Sequence, residues 1–169
     1  MIQQIVAIIV DGLIYSSYLF MVAVGLTVIF GVMKLLNVTH GSFYAFGAYL
    51  AATLVGIYYE TDLPEFGGFL VLFLSAIAVG LFFGVILERG LLRFLYHRDQ
   101  HIIVLATFAM FLVLEDVIIL IWGVDPYFAY QPMGLLGATD IIGVTYDVYS
   151  LTLILLALTV GTGSWLALT

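Results

Sequence analysis

Residues 66–87 read F-G-G-F-L-V-L-F-L-S-A-I-A-V-G-L-F-F-G-V-I-L, 22 positions without a charge. At about 1.5 Å of helical rise per residue this stretch is about 33 Å long, enough to cross the roughly 30 Å hydrocarbon core of a bilayer. A helix apolar on every side has no face to offer water. It belongs in lipid.

The same reading extends outward along the chain. Charge-free or nearly charge-free stretches cover residues 4–33, interrupted by Asp11, then 42–59, 66–87, 102–124, which holds Glu115 and Asp116, and 148–169. The whole chain is 64% apolar and 9% charged, with a mean hydropathy of +1.24. Soluble domains carry about 25% charged residues to cover a water-facing surface. The sequence therefore predicts an all-α integral membrane fold with about five transmembrane helices in a single region spanning 1–169. Residues 1–4, M-I-Q-Q, carry no basic side chain ahead of a long apolar run, so the first stretch is expected to be a retained span rather than a cleaved leader. With no cysteine, neither a disulfide framework nor a thiolate metal site is available.

Net charge is -7, and its distribution says more than its sum. Lys34, Arg89, Arg93 and Arg98 lie between the first and second or the third and fourth stretches. Glu60, Asp62, Glu65, Asp125, Asp140 and Asp147 lie in the alternate loops. Basic loops stay in the cytoplasm, so a multi-pass protein of the plasma (inner) membrane is expected, with its N-terminus extracytoplasmic. Tyr58, Tyr59, Trp122, Tyr127 and Tyr130 flank the outer ends, where amphipathic rings settle. The acidic balance argues against nucleic acid as a partner. The segment 125–147, with Pro126, Pro132, Gly134, Gly137 and Gly143, is expected to be a structured outer loop.

The most informative stretch chemically is G-L-T-V-I-F-G-V-M-K-L-L-N-V-T-H-G-S-F-Y, residues 25–44. Asn37, Thr39, His40 and Gly41 interrupt what would otherwise be one very long apolar run. Two readings stay open. Backbone freed from helix at membrane depth is tolerated where it is buried in protein or lines a wet cavity, and such breaks build transporter sites. A tight cytoplasmic turn, with Asn37 and Thr39 capping the second helix, explains the same residues without chemistry.

This stretch, continued as A-F-G-A-Y-L, resembles the N-terminal signature of permease subunits of branched-chain amino acid ABC transporters, close to G-L-x-L-I-F-G-V-M-x-x-x-N-F-A-H-G-x-x-Y-x-x-G-A-Y. Val38 and Thr39 stand where Phe-Ala is usual. Glu88-Arg89-Gly90-Leu91-Leu92-Arg93 is similar to the family's E-R-x-x-x-R-P, with Phe94 in place of the proline. Residues 103–126, with Glu115-Asp116 and Gly123-Val124-Asp125-Pro126, are similar to the helix that follows and its outer exit. The likeness runs in order through nearly the whole chain.

The resemblance implies an importer subunit working by alternating access. It implies a second permease subunit, homo- or heterodimeric, cytoplasmic ATP-binding subunits and an extracytoplasmic solute-binding protein, besides membrane lipid. No cofactor is expected on this chain, ATP being bound by the partner subunits. Family permeases are nearly twice as long, and the sequence ends W-L-A-L-T at 165–169 with no basic stop, so it is expected to be an N-terminal fragment. Urea or a short amide is an alternative solute, since sister permeases carry similar signatures.

The expected substrate pathway comprises Asn37, Thr39, His40, Gly41 and, one helical turn on, Tyr44, together with Glu115 and Asp116. Intramembrane carboxylates cost about 2.5–3.5 kcal/mol each on insertion scales, so they need a reason. One reason is contact with a substrate ammonium; the more general one is hydrogen bonding to a neighbouring helix. Adjacent residues point about 100° apart, so the two carboxylates cannot face one groove equally. Asp11, with Tyr15 and Tyr18 near the same face, suits either a polar stripe or the outer interface. Ala76, Gly80 and Gly84, four apart, form a small-residue stripe suited to close helix packing.

Other patterns carry less. His97, Asp99 and His101 alternate in a short turn, and a metal would require further ligands in fixed geometry, so a solvated loop and no metal is expected. Gly161-Thr162-Gly163 lacks the Lys-Ser/Thr of a phosphate loop. No arrangement for nucleophilic catalysis stands out, and the chain is not expected to be an enzyme. Two readings from other classes remain: a membrane enzyme using His40 and Glu115 as an acid–base pair, and a non-transporting scaffold.

Overall fold

The computed structural model describes residues 1–168. In chain order it contains α1 (Ile2–Met33), α2 (His40–Tyr59), α3 (Gly67–Leu87), a π-helical turn (Glu88–Leu92), α4 (Arg93–Leu95), α5 (Gln100–Trp122), α6 (Gln131–Gly134), β1 (Ala138–Ile141), β2 (Val144–Asp147) and α7 (Val148–Leu168). Among the described residues, five helices are long and apolar enough to cross a membrane: α1, α2, α3 with its continuation to Leu95, α5 and α7. Large apolar side chains such as Leu70, Leu81, Leu105 and Leu120 project outward. In water that surface would be costly; in lipid it is the expected exterior. The fold is that of an all-α integral membrane protein.

Several helix boundaries differ from the charge-bounded stretches: α1 begins at Ile2 rather than residue 4, and α5 is Gln100–Trp122 rather than 102–124. The second helix starts at His40 rather than Ser42, and the third runs through the π turn to Leu95 rather than stopping at Leu87. Charges at Glu88 and Arg89 end a hydrocarbon-compatible stretch, but backbone hydrogen bonding continues past them.

The chain divides into two compact units, one of residues 29–131 and one of residues 1–28 with the chain from 132 onward. In the first, α2, α3 and α5 pack together. Phe46, Val79, Leu114 and Ile118 are buried at its centre, flanked by Phe83, Tyr49 and Trp122. Phe46 lies 4.4 Å from Phe83 between ring centroids, and Trp122 Nε1 donates to Thr53 Oγ1 at 2.8 Å. A second cluster, Leu87, Leu92 and Ile103, closes the other end. Helices α2 and α5 run in the same direction: Val38 sits at Thr107 and Thr53 at Trp122. Helix α3 runs antiparallel to α2, with Tyr58 and Tyr59 hydroxyls donating to the Pro64 and Glu65 carbonyls at 2.7 and 2.8 Å. Lys34, Arg89, Arg93 and Arg98 therefore share one end of this unit, and Glu60, Asp62 and Glu65 share the other.

In the other unit the two strands pair antiparallel, Ala138 with Asp147 and Ile141 with Val144. The turn is Ile142-Gly143, both with positive φ, 54° and 78°. That is the backbone of a two-residue type I′ hairpin turn. Position 142 strains a β-branched side chain, whereas Gly143 is at home there. The segment 125–147 thus contains a β-hairpin that no Asn-Gly or Asp-Gly signal announces in the sequence. Tyr146 on β2 is buried, its hydroxyl without a hydrogen-bond partner. Burial first, and then the Asp11 charge, pushes its phenol above the ordinary value. Asp11 of α1 is thus level with the hairpin. At 32 residues α1 is about 48 Å long, longer than a hydrocarbon core, and its first turns run beside the hairpin. That placement fits the interface reading of Asp11, with Tyr15 and Tyr18 exposed on the same helix.

Candidate functional site

Helix α1 stops because Lys34 adopts a left-handed conformation, φ 55°, while its N–H still reaches the Phe30 carbonyl at 2.9 Å. That is the single-bond form of the left-handed helix C-cap. A cation at this end also complements the helix dipole. Residues 34–39 then lie outside regular helix, although Leu35 is half-buried and Asn37 and Thr39 are fully buried. Buried irregular backbone requires partners for its polar groups.

Those partners are specific. Asn37 Oδ1 accepts the Thr39 N–H at 3.1 Å and also the Thr39 hydroxyl. The pattern is an Asx turn, with the amide standing in for a backbone carbonyl. His40, Ser42 and Phe43 N–H groups then bond back to Asn37 and Thr39 carbonyls, launching α2. The expected shared capping by Asn37 and Thr39 thus takes a different form. Asn37 is the acceptor, whereas Thr39 makes no side-chain cap and spends its hydroxyl on Asn37. The Val38 N–H, which precedes the first helical bonds, is taken by Thr107 Oγ1 of α5 at 3.3 Å. Thr107 is fully buried and donates its own proton to the Val104 carbonyl at 3.1 Å.

The break is therefore a buried polar knot of Asn37, Thr39 and Thr107 at the basic end of the three-helix unit. Ser42 lies beside it with a buried hydroxyl that has no hydrogen-bond partner. His40 is half-buried, whereas Gly41 and Tyr44 are exposed. A Cβ at Gly41 would meet only Phe111, at 4.0 Å, so close packing does not demand glycine there.

The other expected residues lie elsewhere. Glu115 and Asp116 are exposed on α5, away from the face that buries Leu114 and Ile118. No hydrogen bond joins either to a neighbour, or Glu115 to His40, among the described residues. Ala76 and Gly80 are exposed and Gly84 half-buried, and a Cβ at either glycine would touch nothing within 4 Å. Within this unit α3 instead buries Gly68, Ser75 and Val79, on a different face of the same helix, and its close approach is at Gly68 against Tyr59. His97, Asp99 and His101 are all exposed, and no group of His, Cys, Asp or Glu able to hold a metal is found among the described residues. In the other unit a hypothetical Cβ at Gly161 would lie 3.2 Å from Phe20, so part of the Gly161-Thr162-Gly163 stretch is a close-packing point.

Sequence reasoning missed Thr107, because one threonine among apolar residues has no local signature; only the fold sets it opposite Val38. It also missed the π turn at Glu88–Leu92, where Tyr96 donates to Glu88 Oε2. Burial and this bond to Glu88 push the Tyr96 phenol up to about 12.

Five helices long and apolar enough to cross a membrane, among the described residues, make this a multi-pass membrane protein. The family described as the branched-chain amino acid transport system permease component matches residues 8–169, and the chain belongs to it. No curated protein and no solved structure matches the chain significantly.

Proposed function

We propose that this chain is a permease subunit of an ABC importer, carrying branched-chain amino acids across the plasma membrane. ATPase subunits on other chains would drive it, a second permease subunit would complete the pathway, and an extracytoplasmic binding protein would deliver the solute. The chain itself would perform no catalysis and carry no cofactor. The observation that carries this reading is the polar knot: Asn37 and Thr39, buried on irregular backbone between two membrane-length helices, joined through Val38 to the buried Thr107 of α5. Such breaks are tolerated in membrane proteins where they are buried in protein or line a wet cavity, and transporters build binding sites from them.

The four basic residues at one end of the three-helix unit support placing that end in the cytoplasm. The N-terminus would then be extracytoplasmic. The knot would lie near the cytoplasmic side, where it acts as a gate, while Glu115 and Asp116 would line the path farther out. A knot held by three specific hydrogen bonds suits a gate because it has few alternative arrangements.

The test is uptake of radiolabelled L-leucine by cells that lack their own leucine importers and express this chain with its ATPase and binding-protein partners. ATP-dependent accumulation is expected, lost on exchanging Asn37 and His40. Urea or acetamide accumulating in place of leucine would reassign the solute. Uptake that survives removal of the ATPase would sink the importer reading.

A further inference from the structure

A cavity of about 190 Å³ lies beside the polar knot, between the break and the π turn. Its walls from α1, the break and α2 are Ile29, Leu35 and Phe43, with Asn37 among them. The opposite wall is Gly84, Leu87, Glu88 and Leu92. The π turn explains how that wall forms. At 3.6 residues per turn, Leu92 would point about 140° away from Leu87. The wider π turn returns Leu92 to the same face, so that Leu87, Glu88 and Leu92 look into one space.

The chemistry of the lining is lopsided. It is apolar except for one carboxylate and one amide. Glu88 is half-buried, and its partner among the described residues is the Tyr96 hydroxyl on Oε2. A carboxylate has about four lone-pair sites, so most of its accepting capacity faces no donor. Asn37 commits its Oδ1 to Thr39 twice over, so what it offers the cavity is its NH2 group. An acceptor-only anion and a neutral donor thus converge on an apolar space. The volume equals about six waters' share of liquid, far below the roughly 300–1,000 Å³ of drug-sized sites. A small aliphatic solute fits.

We propose that this cavity binds the α-ammonium group of an aliphatic amino acid on Glu88. The solute's carboxylate would meet the Asn37 amide nitrogen, and its branched side chain would lie against Leu35, Phe43 and Leu92. The proposal rests on the amino acid transport reading for the identity of the solute; the ammonium preference rests on the cavity alone. Tyr96 is a positioning residue that fixes Glu88 through Oε2 and leaves Oε1 to the ligand. Gly84 keeps the space open, because a larger side chain there would grow into it rather than into a neighbour.

Three probes separate the contributions: L-leucine, isopentylamine, which lacks the carboxylate, and isocaproate, which lacks the ammonium. Binding to the full chain in lipid nanodiscs is followed by saturation-transfer NMR. Leucine and isopentylamine are expected to bind, and isocaproate at least tenfold more weakly. Glu88→Gln, which keeps an acceptor for Tyr96, is expected to weaken isopentylamine at least tenfold. Gly84→Val is expected to exclude both ligands, with unfolding temperature unchanged as the control for each variant. Isocaproate binding as tightly as isopentylamine, or Glu88→Gln binding the amine like the native chain, would overturn the site. Leucine uptake without amine binding removes this site and leaves the importer reading standing. Glu88-dependent amine binding without uptake does the reverse.

Discussion

The Val38 N–H donates to Thr107 Oγ1 at 3.3 Å, joining a break after α1 to the middle of α5 across 69 residues of sequence. Neither group has an obvious substitute. Val38 precedes the first helical bonds of α2, and Thr107 is fully buried in an otherwise apolar stretch. Thr107→Val keeps the shape and removes the acceptor, leaving a buried N–H unpaired at a cost of about 1–3 kcal/mol. Thr107→Ser keeps the bond. The valine variant is expected to unfold earlier in a detergent–denaturant titration, with serine close to the native chain. Equal midpoints for valine and native chain would mean that water already serves the Val38 N–H.

Asn37 is the next link. Its Oδ1 accepts two bonds from Thr39, so Asn37→Leu removes both bonds and should destabilise the start of α2 by about 0.5–2 kcal/mol, the range of a lost helix cap. Asn37→Asp keeps the acceptor and should retain most of that stability. The aspartate also loses the amide NH2, so its amine binding should persist while leucine binding weakens. Hydrogen exchange at Thr39 and His40 amides reads the local effect directly. Slow exchange retained in the leucine variant would show that the Asx turn is dispensable.

Ile142 presents the opposite case, a residue poorly matched to its backbone. It is exposed and has φ 54° in a two-residue turn. Left-handed conformation costs an ordinary residue about 1–2 kcal/mol, and asparagine tolerates it better. Ile142→Asn is expected to protect the hairpin, lowering the rate of proteolytic nicking within 138–147 severalfold. A faster rate would mean that the isoleucine side chain makes a compensating contact.

The pH dependence of the basic end follows from Tyr96. Its phenol is raised from an ordinary value near 10 to about 12, by burial and then by the bond to Glu88. A group whose folded-state value is raised favours folding fully below its unfolded value and loses that contribution as pH climbs through the folded one. Native stability is therefore expected to fall from about pH 10 to about pH 12, and Tyr96→Phe to show a shallower fall in that window. Ultraviolet absorbance titration should report one tyrosine fewer ionising near pH 12 in the phenylalanine variant. If both proteins lose stability identically over the window, the bond to Glu88 contributes nothing to it.

How far the sequence could carry these conclusions depends on the kind of signal. The spans were legible because lipid imposes a requirement on every residue of a stretch, and residues 66–87 meet it without exception. The break was legible for the same reason inverted: Asn37, Thr39 and His40 violate the requirement in a cluster. Thr107 and Glu88 were not. Each is a single polar residue whose importance comes from what the fold brings opposite it, Val38 in one case and the Asn37 cavity in the other. The β-hairpin escaped because Ile142-Gly143 adopts a type I′ turn without the residue that usually advertises one. Charges marked where hydrocarbon ends, and so misplaced the end of the third helix, which continues through Glu88 and Arg89.

Glu115 and Asp116 give the last prediction. Both are exposed on α5, about 10 Å along the helix from Trp122, and α5 packs through Leu114 and Ile118 on another face. Against lipid each carboxylate would cost about 2.5–3.5 kcal/mol, so a face carrying both should be covered or wet in the working assembly. Because consecutive helical positions differ by about 100°, a pathway can be lined squarely by one of the two and only obliquely by the other. Neutralising them singly should therefore give unequal effects. One of Glu115→Gln and Asp116→Asn is expected to lower leucine uptake tenfold or more, and the other by less than about twofold. Membrane insertion and unfolding temperature should be unchanged in both. If both variants transport like the native chain and unfold at higher temperature, the carboxylates line no pathway and are a burden tolerated at a lipid-facing surface.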